Sequence, residues 1–368
     1  MSETKILSVV GARPNFMKVA PLHRVFESRD HVTSRIVHTG QHYDEEMSDI
    51  FFRQLGLPEP DVYLGVGSGS HAEQTARVMT AFEEVVLDED PDIVGVVGDV
   101  NSTVACSLVA AKCHVPVAHV EAGLRSGDRN MPEELNRIVT DQLAEFLFVT
   151  EPSGVEHLRA EGRPEEAIHF VGNVMIDSLV QFREKAQERS ILDDLEVTAG
   201  EYILTTMHRP SNVDEKEPLA EVVSTLRQLV DQREVVFPVH PRTENQMKAH
   251  GFWEKLDSTP GIHLLDPLGY LDFLRLMEEA AVVVTDSGGI QEETTFLQVP
   301  CLTIRPNTER PVTITQGTNE LVSLDASTIV RRVGERIAEG VSDGQRPEKW
   351  DGRAAHRITS VLLNDGLS

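Results

Sequence analysis

The sequence predicts an α/β protein made of two Rossmann-like domains that face a cleft. Short apolar runs alternate along the chain with amphipathic stretches of helical length, which is typical of parallel sheets covered by helices on both faces. Eleven strand candidates are more than one open sheet of this kind usually carries, and a break near Gly172 and Asn173 divides them roughly six and five. We therefore expect domains at residues 1–172 and 173–349, with a last helix within residues 350–368 that packs back on the first domain.

Each predicted strand is a short run rich in Val and Ile, and each predicted helix is an amphipathic stretch between two such runs. Before the break, strands are predicted at residues 6–10, 35–39, 93–97, 117–120, 146–149 and 168–171. After the break, they are predicted at residues 202–206, 235–238, 262–265, 282–285 and 301–304. Helices are predicted at residues 17–28, 71–88, 102–113, 132–144, 218–232, 270–280 and 350–363. In parallel sheets, ligands bind beyond the carboxyl ends of the strands, so the chemistry should lie just after each strand.

The composition restricts the class of partner. With 34 basic and 60 acidic residues the net charge is −26, which makes nucleic acid and anionic membranes poor partners. Only eight of the basic residues are Lys. This acid-rich and Lys-poor composition suits a salty cytoplasm, and it suits ordinary acidic solubility equally well.

Three observations predict a cytoplasmic location. The three cysteines, Cys106, Cys113 and Cys301, lack C-x-x-C spacing and are too few for a disulfide framework. The chain begins almost directly with a strand-like run, so we expect no signal peptide. No apolar run approaches the roughly 18–20 residues that a membrane-spanning helix needs.

The segment 285–293 (TDSGGIQEE) is the most informative motif of the chain. It follows the apolar strand candidate at 282–285, and Gly288 and Gly289 would let backbone N–H groups approach an anion closely. A helix that begins there would point its positive end at that anion. The carboxylates of Glu292 and Glu293 only accept hydrogen bonds, as the two hydroxyls of a ribose require. The order of strand, glycine turn, helix and acid therefore predicts a site for a nucleoside diphosphate.

In the first half, charged residues follow three predicted strands. Arg13 and Lys18 flank a helix start and could reach a phosphate, or Lys18 could simply be solvated. Asp99 follows the strand at 93–97 and would lie at the cleft, unless it caps the next helix. Glu121 follows the strand at 117–120 and could be catalytic or an exposed turn acid. The segment around Arg13 is not G-x-G-x-x-G, which counts against bound NAD.

Glu133 and Arg137 are neighbours at i and i+4 in the first turns of a predicted helix. On spacing alone, the favoured interpretation is a surface ion pair worth roughly 0.2–0.5 kcal/mol. The alternative is that both residues contact the substrate.

In the second half, two predicted strands each end in a histidine, an arginine and a proline, around His208 and around His240. A single histidine is usually structural, but two such pairs suggest a binding site. Arg305 and Arg310 follow the last predicted strand, where they could complete an anion site or be solvated loop charges. The chain has no G-x-S-x-G, no G-x-x-x-x-G-K-[ST] and no H-E-x-x-H, so we predict neither a serine nucleophile nor a metal site.

Six strings of residues, taken in order, resemble the non-hydrolysing UDP-N-acetylglucosamine 2-epimerases. They are GARPNFMKVAP (11–21), GDVNST (98–103), HVEAGLRS (119–126), PEELNR (132–137), DSGGIQEE (286–293) and TERP (308–311). The resemblance implies the GT-B-type fold of one large class of glycosyltransferases. It also implies interconversion of UDP-GlcNAc and UDP-ManNAc by a homodimer, with no cofactor such as NAD and no obligatory metal.

The resemblance also implies roles for individual residues. Its catalytic or substrate-contacting set corresponds here to Lys18, Asp99, Glu121, Glu133 and His208. Its UDP contacts correspond to Arg13, Phe273, Ser287, Gly288, Gly289, Glu293 and Arg310, and by position we add Arg137 and His240 as candidate substrate-binding residues. The sequence departs from the family at Asn15, where Glu is common, and at residues 41–44 (QHYD), which correspond to part of an activator site in many bacterial members.

The chemistry implied is elimination before inversion. The hydrogen at C2 of the sugar is not acidic until UDP leaves C1. We therefore assign the diphosphate to Arg13, His208, Arg310 and the 287–289 turn, and the proton transfers to Asp99, Glu121 and Glu133 in an order that stays open. The alternatives are a glycosyltransferase on the same fold, a hydrolysing epimerase and a non-catalytic nucleotide-sugar sensor.

Overall fold

The computed structural model describes residues 3–40, 59–340 and 344–363. The chain forms two compact units, one made of residues 1–181 and 348–368 and the other of residues 182–347. The division falls inside the helix Val174–Gln187, beyond the break expected at 172 and 173. The reason lies in the packing of that helix. Within the first unit Ser178 donates a hydrogen bond to the carbonyl of Met17, and within the second Phe182 packs edge-on against Tyr270.

The first unit is built on a parallel sheet of seven strands in the order β3-β2-β1-β4-β5-β6-β7. The strands are β1 (Thr4–Val10), β2 (Val32–His38), β3 (Val62–Tyr63), β4 (Ile93–Val97), β5 (Val117–Ala122), β6 (Phe146–Val149) and β7 (Ile168–Phe170). The helices are α1 (Arg13–Glu27), α2 (His71–Glu89), α3 (Asn101–Lys112), α4 (Pro132–Leu143), α5 (Pro152–Ala160) and α6 (Val174–Gln187), with a 3₁₀ turn at Glu165–Ala167.

The second unit is built on a parallel sheet of six strands in the order β10-β9-β8-β11-β12-β13. The strands are β8 (Tyr202–Thr206), β9 (Glu234–Pro238), β10 (Ile262–Leu265), β11 (Val282–Thr285), β12 (Cys301–Ile304) and β13 (Asn319–Val322). The helices are α7 (Ile191–Asp194), α8 (Pro210–Val213), α9 (Lys216–Leu229), α10 (Pro241–Ala249), α11 (Trp253–Asp257), α12 (Tyr270–Glu278), α13 (Gly288–Leu297), α14 (Val312–Thr315) and α15 (Ala326–Glu339).

The C-terminal segment returns to the first unit, where helix α16 (Ala354–Leu362) packs against α1. The Asp177 carboxylate accepts hydrogen bonds from the backbone nitrogens of Ala354 and Ala355, at 3.0 and 2.8 Å, and so binds the positive end of α16. Trp350 donates its indole N–H to the carbonyl of Thr150 at 3.0 Å. The last helix therefore completes the unit in which the chain began.

Aliphatic and aromatic side chains between sheet and helices form the two cores. In the first unit they include Leu7, Phe82, Val94, Leu147 and Leu158. In the second they include Ile203, Leu226, Phe237, Leu302 and Ile329. Within residues 3–40, 59–340 and 344–363, none of the helices combines the length and hydropathy needed to cross a bilayer.

Each predicted strand corresponds to an observed strand, and the differences have physical causes. Two strands were not predicted. Strand β3 is only two residues long and strand β13 is half polar, so neither carries an apolar run. Helix α1 begins at Arg13 instead of residue 17, because Pro14 fits the first turn of a helix. Strand β5 continues to Ala122 and so includes Glu121.

The register of the sheets determines which loops meet. Strands β1, β4 and β5 are neighbours, so Gly11, Gly98 and Glu121 lie at the carboxyl ends of three adjacent parallel strands. In the second sheet β8 lies beside β11, and Thr206 aligns with Thr285. The residues that follow these two strands therefore emerge side by side.

Candidate active site

The first unit holds a buried ion pair at the ends of its central strands. Nζ of Lys18, on α1, lies 2.5 Å from Oε2 of Glu121 at the end of β5. The two side chains are only 10% and 3% exposed, so removal of either partner would leave an unpaired buried charge. A solvated Lys18 and an exposed turn acid at Glu121, the two alternatives to a functional role, are therefore wrong.

The backbone at Glu121 is strained. Its φ is +72°, in the left-handed region that costs a non-glycine residue of order 1–3 kcal/mol, and the register between β5 and β6 shifts at this point. Gly123 follows with φ +80°, and a Cβ there would lie 2.4 Å from the carbonyl oxygen of Gly154. The small residues after Glu121 thus permit a turn that aims its carboxylate at Lys18.

Gly98 brings a second backbone segment to the ion pair. Its φ is +68°, and a Cβ at this position would lie 3.3 Å from Nζ of Lys18 and 3.7 Å from Oε2 of Glu121. Asp99 is the next residue. The structure therefore gathers Lys18, Glu121 and the backbone of Asp99 at one place.

Asn15, a departure from the family pattern, ties α1 to β4. Its side-chain oxygen accepts hydrogen bonds from the backbone nitrogens of Gly11 and Ala12, at 3.1 and 2.9 Å. Its side-chain nitrogen donates to the carbonyl of Val97 at 3.3 Å. A Glu carboxylate cannot donate, so the Val97 contact depends on the amide.

Arg137 bridges two carboxylates. Its Nη1 lies 2.5 Å from Oδ2 of Asp99, and its Nη2 lies 2.7 Å from Oε2 of Glu134. Burial alone would raise the pKa of Glu134, but the backbone N–H of Ser126 and the Arg137 guanidinium lower it below its ordinary value. The favoured interpretation of a surface pair between Glu133 and Arg137 is therefore wrong, because Arg137 is buried and pairs at i−3 with Glu134.

Asp99 and Glu133 remain accessible beside this bridge. The side chain of Asp99 is 31% exposed, and Val100, not Asp99, occupies the N-cap of α3. Glu133 is half-buried and forms no ion pair within the part of the chain that the structure describes. The two carboxylates thus differ, since Asp99 is paired with a cation and Glu133 is not.

A buried His119–Asp141 pair was not predicted as part of the site. Nε2 of His119 donates to the carbonyl of Gly98 at 2.8 Å, and Nδ1 lies 2.6 Å from Asp141. Asp141 also accepts from the backbone nitrogen of Gly123 at 3.0 Å. Burial alone would raise the pKa of Asp141, but His119 and Arg125 hold it below its ordinary value. This pair anchors the backbone on both sides of the strained turn.

In the second unit, the predicted helix start is present at α13. The helix begins at Gly288, and the side chain of Ser287 makes no capping hydrogen bond within the described residues. The first N–H groups of a helix lack partners inside the helix and carry its positive end. A Cβ on Gly289 would meet nothing within 4 Å in the described part of the chain, so an anion can approach there.

The arginines beside this turn are already paired. A Cβ on Gly288 would lie 3.4 Å from Nη1 of Arg310, which itself lies 2.5 Å from Glu309, while Nε of Arg310 lies 2.7 Å from Glu292. Arg305 pairs with Glu309 at 2.9 Å. Burial alone would raise the pKa of Glu309, but Arg310 and Arg305 hold it well below its ordinary value. These cations are therefore not solvated loop charges, and the carboxylates nearly neutralise them.

Glu293 lies in a buried position on α13. The hydroxyl of Tyr270 donates to its Oε1 at 2.8 Å, and both residues are buried. Burial raises the pKa of Glu293 to about 7, with a further contribution from the Glu292 carboxylate. Phe273 is half-buried one turn after Tyr270, on the same side of α12.

The two histidines of the second unit have different surroundings. Nδ1 of His208 lies 2.8 Å from Oδ1 of the buried Asp286, and the His208 side chain is 41% exposed. Nδ1 of His240 accepts a hydrogen bond from the backbone nitrogen of Arg242, so His240 caps α10. The two rings lie 5.6 Å apart. Asp286 was missed as a site residue, although it follows a buried strand as Asp99 does.

Two predicted features fall outside the described residues. They are the side chain of Arg13, whose backbone begins α1, and residues 41–44. The remaining predicted site residues separate into two groups. Lys18, Asp99, Glu121, Glu133 and Arg137 belong to the first unit, and His208, His240, Phe273, Ser287, Gly288, Gly289, Glu293 and Arg310 belong to the second.

Comparison with known proteins gives similarity over nearly the whole chain. A family model described as UDP-N-acetylglucosamine 2-epimerase matches residues 24–363. A relative with that name from Methanocaldococcus jannaschii is 41% identical over 363 residues, which cover 97% of this chain and 98% of the relative. UDP-2,3-diacetamido-2,3-dideoxy-D-glucuronate 2-epimerase from Pseudomonas aeruginosa is 39% identical over 362 residues, which cover 97% and 99%.

A solved structure is similar as well. It is the UDP-GlcNAc 2-epimerase of Methanocaldococcus jannaschii in complex with UDP-GlcNAc and UDP, with a TM-score of 0.90 and 39% sequence identity. The match covers 98% of this chain and 100% of that one. Together with the two parallel sheets, it confirms the predicted α/β fold class of the GT-B type.

Proposed function

This chain belongs to the UDP-N-acetylglucosamine 2-epimerase family, and from that premise we propose how its residues carry out the reaction. The chain epimerises UDP-GlcNAc. UDP leaves C1, the proton at C2 is removed, a proton is returned to the opposite face of C2, and UDP adds back to give UDP-ManNAc. Each step is reversible, so the same residues serve both directions.

The order of steps follows from the acidity of the C2 hydrogen. No carbonyl group stands beside C2, so direct removal of this proton would be very costly. Departure of UDP develops positive charge at C1 and makes the neighbouring hydrogen removable. Groups that stabilise the departing diphosphate therefore lower the barrier by preorganised electrostatics, and a positioned acid and base contribute roughly 10²–10⁴-fold.

The buried Lys18–Glu121 pair is the observation that carries our assignment of the first unit. The Lys18 ammonium, 2.5 Å away, holds the Glu121 carboxylate in one position, as a base that acts at one atom requires. The strained turn restricts the orientation of this carboxylate. We assign C2 deprotonation to Glu121 and delivery of a proton to the opposite face to Glu133, which lacks a cationic partner among the described residues. Asp99, held by Arg137, stabilises the cationic sugar.

The second unit holds the nucleotide in this proposal. The N–H groups at Ser287, Gly288 and Gly289 and the side chains of His208 and Arg310 bind the diphosphate. The family resemblance adds Arg13, which belongs to the first unit. Because Glu309 and Glu292 compensate the nearby arginines, most of the net positive field must come from the N-terminus of α13 and from His208. Glu293 accepts hydrogen bonds from the ribose, and Phe273 and His240 contact the remainder of the nucleotide.

We further propose a homodimer that acts in the cytoplasm and needs no organic cofactor. The homodimer is supported by the family resemblance, and light scattering coupled to size-exclusion chromatography would test it. The cytoplasmic location is supported by three cysteines without a disulfide, two of them buried.

Incubation with UDP-GlcNAc in D₂O, followed by NMR, tests the proposed function. We expect deuterium at C2 of both UDP-GlcNAc and UDP-ManNAc. Free ManNAc would indicate the hydrolysing epimerase, and an unchanged substrate would indicate a glycosyltransferase or a sensor. Faster conversion of UDP-2,3-diacetamido-2,3-dideoxy-D-glucuronate in the same assay would show that the preferred sugar is that of the Pseudomonas aeruginosa relative.

A further inference from the structure

We propose that Asp286 is a positioning residue for His208, which it holds with Nδ1–H turned inward and Nε2 turned toward the substrate. The kinetic consequence rests on the proposed function, whereas the orientation of the ring does not.

Asp286 accepts hydrogen bonds from several donors at once. Oδ1 lies 2.8 Å from Nδ1 of His208, and Oδ2 accepts from the backbone nitrogen of Arg209 at 2.8 Å and from the side chain of Asn212 at 3.1 Å. The backbone nitrogen of His208 also donates to this carboxylate, at 3.0 Å. Asp286 is fully buried, so these donors replace the water that an ion would otherwise need.

This arrangement determines where the proton of His208 lies. Burial alone would raise the pKa of Asp286, but His208 and the backbone N–H groups of His208 and Arg209 hold it below its ordinary value. Asp286 is therefore a carboxylate, which can only accept. A neutral imidazole carries its hydrogen on one nitrogen only, so in His208 that nitrogen must be Nδ1.

His240 provides a comparison within the same unit. Its Nδ1 accepts from the backbone nitrogen of Arg242 at 3.1 Å, so its hydrogen must lie on Nε2. Burial, His208 and Arg242 lower the pKa of His240, which disfavours protonation of this ring. Two rings 5.6 Å apart are thus held in opposite tautomers by their separate partners.

The consequence for the reaction concerns the exposed nitrogen of His208. When the ring is protonated, Nδ1–H donates to Asp286 and Nε2–H donates to an oxygen of the departing diphosphate. Asp286 thereby stabilises a positive charge at the leaving group without contacting it. No proton transfer is needed, because the imidazolium acts as a charged hydrogen-bond donor.

Replacement of Asp286 by Asn reverses the hydrogen bond to Nδ1 of His208 and preserves the hydrogen bonds that Oδ2 accepts. The Asn oxygen can take the place of Oδ2 and accept from Arg209 and Asn212. The Asn NH₂ group then faces Nδ1 of His208, which must become an acceptor, so the ring takes the Nε2–H tautomer and loses its positive charge. Asp214→Asn is the matched control, because Asp214 is a nearby carboxylate that pairs with Arg242 and not with His208.

The orientation is tested by ¹⁵N NMR of the full chain with ¹⁵N-labelled histidine, at a pH where the imidazoles are neutral. His208→Asn identifies the His208 signals by their loss. We expect a protonated Nδ1 and an unprotonated Nε2 for His208 in the unsubstituted protein and in Asp214→Asn, and the reverse in Asp286→Asn. A protonated Nε2 in the unsubstituted protein would overturn the inference, even if Asp286→Asn failed to fold.

The role in the reaction is tested by steady-state kinetics of the same proteins. We expect Asp286→Asn to lower kcat at least about 10²-fold, because the ring no longer presents a positive charge to the leaving group, with KM changed less than about threefold. Asp214→Asn should keep both constants. A normal kcat in a folded Asp286→Asn would overturn the positioning role. Absence of epimerase activity from the unsubstituted protein would instead overturn the proposed function and leave the NMR result standing.

Discussion

Nζ of Lys18 lies 2.5 Å from Oε2 of Glu121, although the two residues are 103 positions apart in the sequence. The contact joins the first helix of the first unit to a strained turn at the end of β5. It places a cation against a carboxylate where almost no water reaches either. The mechanism proposed for this chain depends on that pair more than on any other contact in the first unit.

Glu121→Gln should abolish exchange of the C2 hydrogen while leaving UDP binding intact. The amide keeps the size of the side chain but cannot take a proton, so kcat should fall at least about 10²-fold. NMR in D₂O measures the exchange, and calorimetry measures UDP affinity, which should change less than about threefold. Glu83→Gln, at an exposed position on α2, is the control. Near-normal exchange in Glu121→Gln would remove Glu121 from the mechanism.

Asp141→Asn should lower both stability and kcat. It removes the buried carboxylate that joins His119, Arg125 and the backbone of Gly123, so the free energy of unfolding should fall by about 3–5 kcal/mol. Urea denaturation measures this loss. Under conditions where the variant is folded, UDP affinity should be unchanged, because Asp141 lies in the other unit from the proposed UDP site. An unaltered kcat would show that the strained turn keeps its geometry without this anchor.

Glu293→Gln should change stability in a manner that depends on pH. Burial raises the folded-state pKa of Glu293 from 4.5 to about 7, so between these values the folded protein binds a proton more tightly than the unfolded chain does. The contribution of Glu293 to stability is thus fully present below pH 4.5 and is lost as pH rises to about 7. Relative to the unsubstituted protein, Glu293→Gln should gain up to about 3 kcal/mol between pH 5 and pH 8.

Urea denaturation at those two pH values checks the prediction for Glu293. Gln keeps an oxygen that can accept from Tyr270, so the hydrogen bond at 2.8 Å should survive in the variant. A difference in stability that does not vary with pH would contradict the raised pKa.

Added KCl should stabilise the protein. With a net charge of −26 the chain repels itself, and the Debye length falls from about 10 Å at 0.1 M salt to about 3 Å at 1 M. We expect the melting temperature to rise by a few degrees over that range, equivalent to about 1 kcal/mol. Sucrose of equal osmolality is the control for water activity. An unchanged melting temperature in KCl would favour ordinary acidic solubility over adaptation to salt.

Local sequence pattern was sufficient for the parts of the fold that depend on neighbouring residues. The apolar run at residues 282–285 predicted β11, and the glycine pair Gly288 and Gly289 predicted the start of α13. Strand β13 was missed because Asn319 and Glu320 are polar, and its place at the edge of the sheet is decided by pairing with β12. Such long-range pairing leaves no periodic signal in the segment itself.

In the candidate site, too, local sequence pattern predicted some residues, whereas contacts between distant residues were not predicted. Lys18, Glu121 and Asp99 could be identified because each follows or faces a predicted strand. The sequence did not identify the pairing of His119 with Asp141 or of Asp286 with His208. Both are contacts between residues that are distant in sequence. The histidine inside the otherwise apolar start of strand β5 was the sequence signal that could have identified the His119–Asp141 pair.

Which charged side chains of the site pair with each other could not be predicted from the sequence either, because the pairing depends on three-dimensional packing. Helix spacing allows Arg137 to pair at i−3 or i−4, and the structure shows that it pairs at i−3 with Glu134 while its Nη1 contacts Asp99. Likewise, the sequence does not indicate that Arg310 is compensated by Glu309 and Glu292, which are brought together by the fold.

Positional isotope exchange tests the central claim most directly, namely that UDP leaves C1 before C2 inverts. The substrate is UDP-GlcNAc with ¹⁸O in the oxygen that joins C1 to the β-phosphorus. If UDP departs and adds back, rotation of the free β-phosphate should move ¹⁸O into non-bridging positions in both recovered UDP-GlcNAc and UDP-ManNAc, as ³¹P NMR would detect. Epimerisation with all ¹⁸O retained in the bridge would contradict the account.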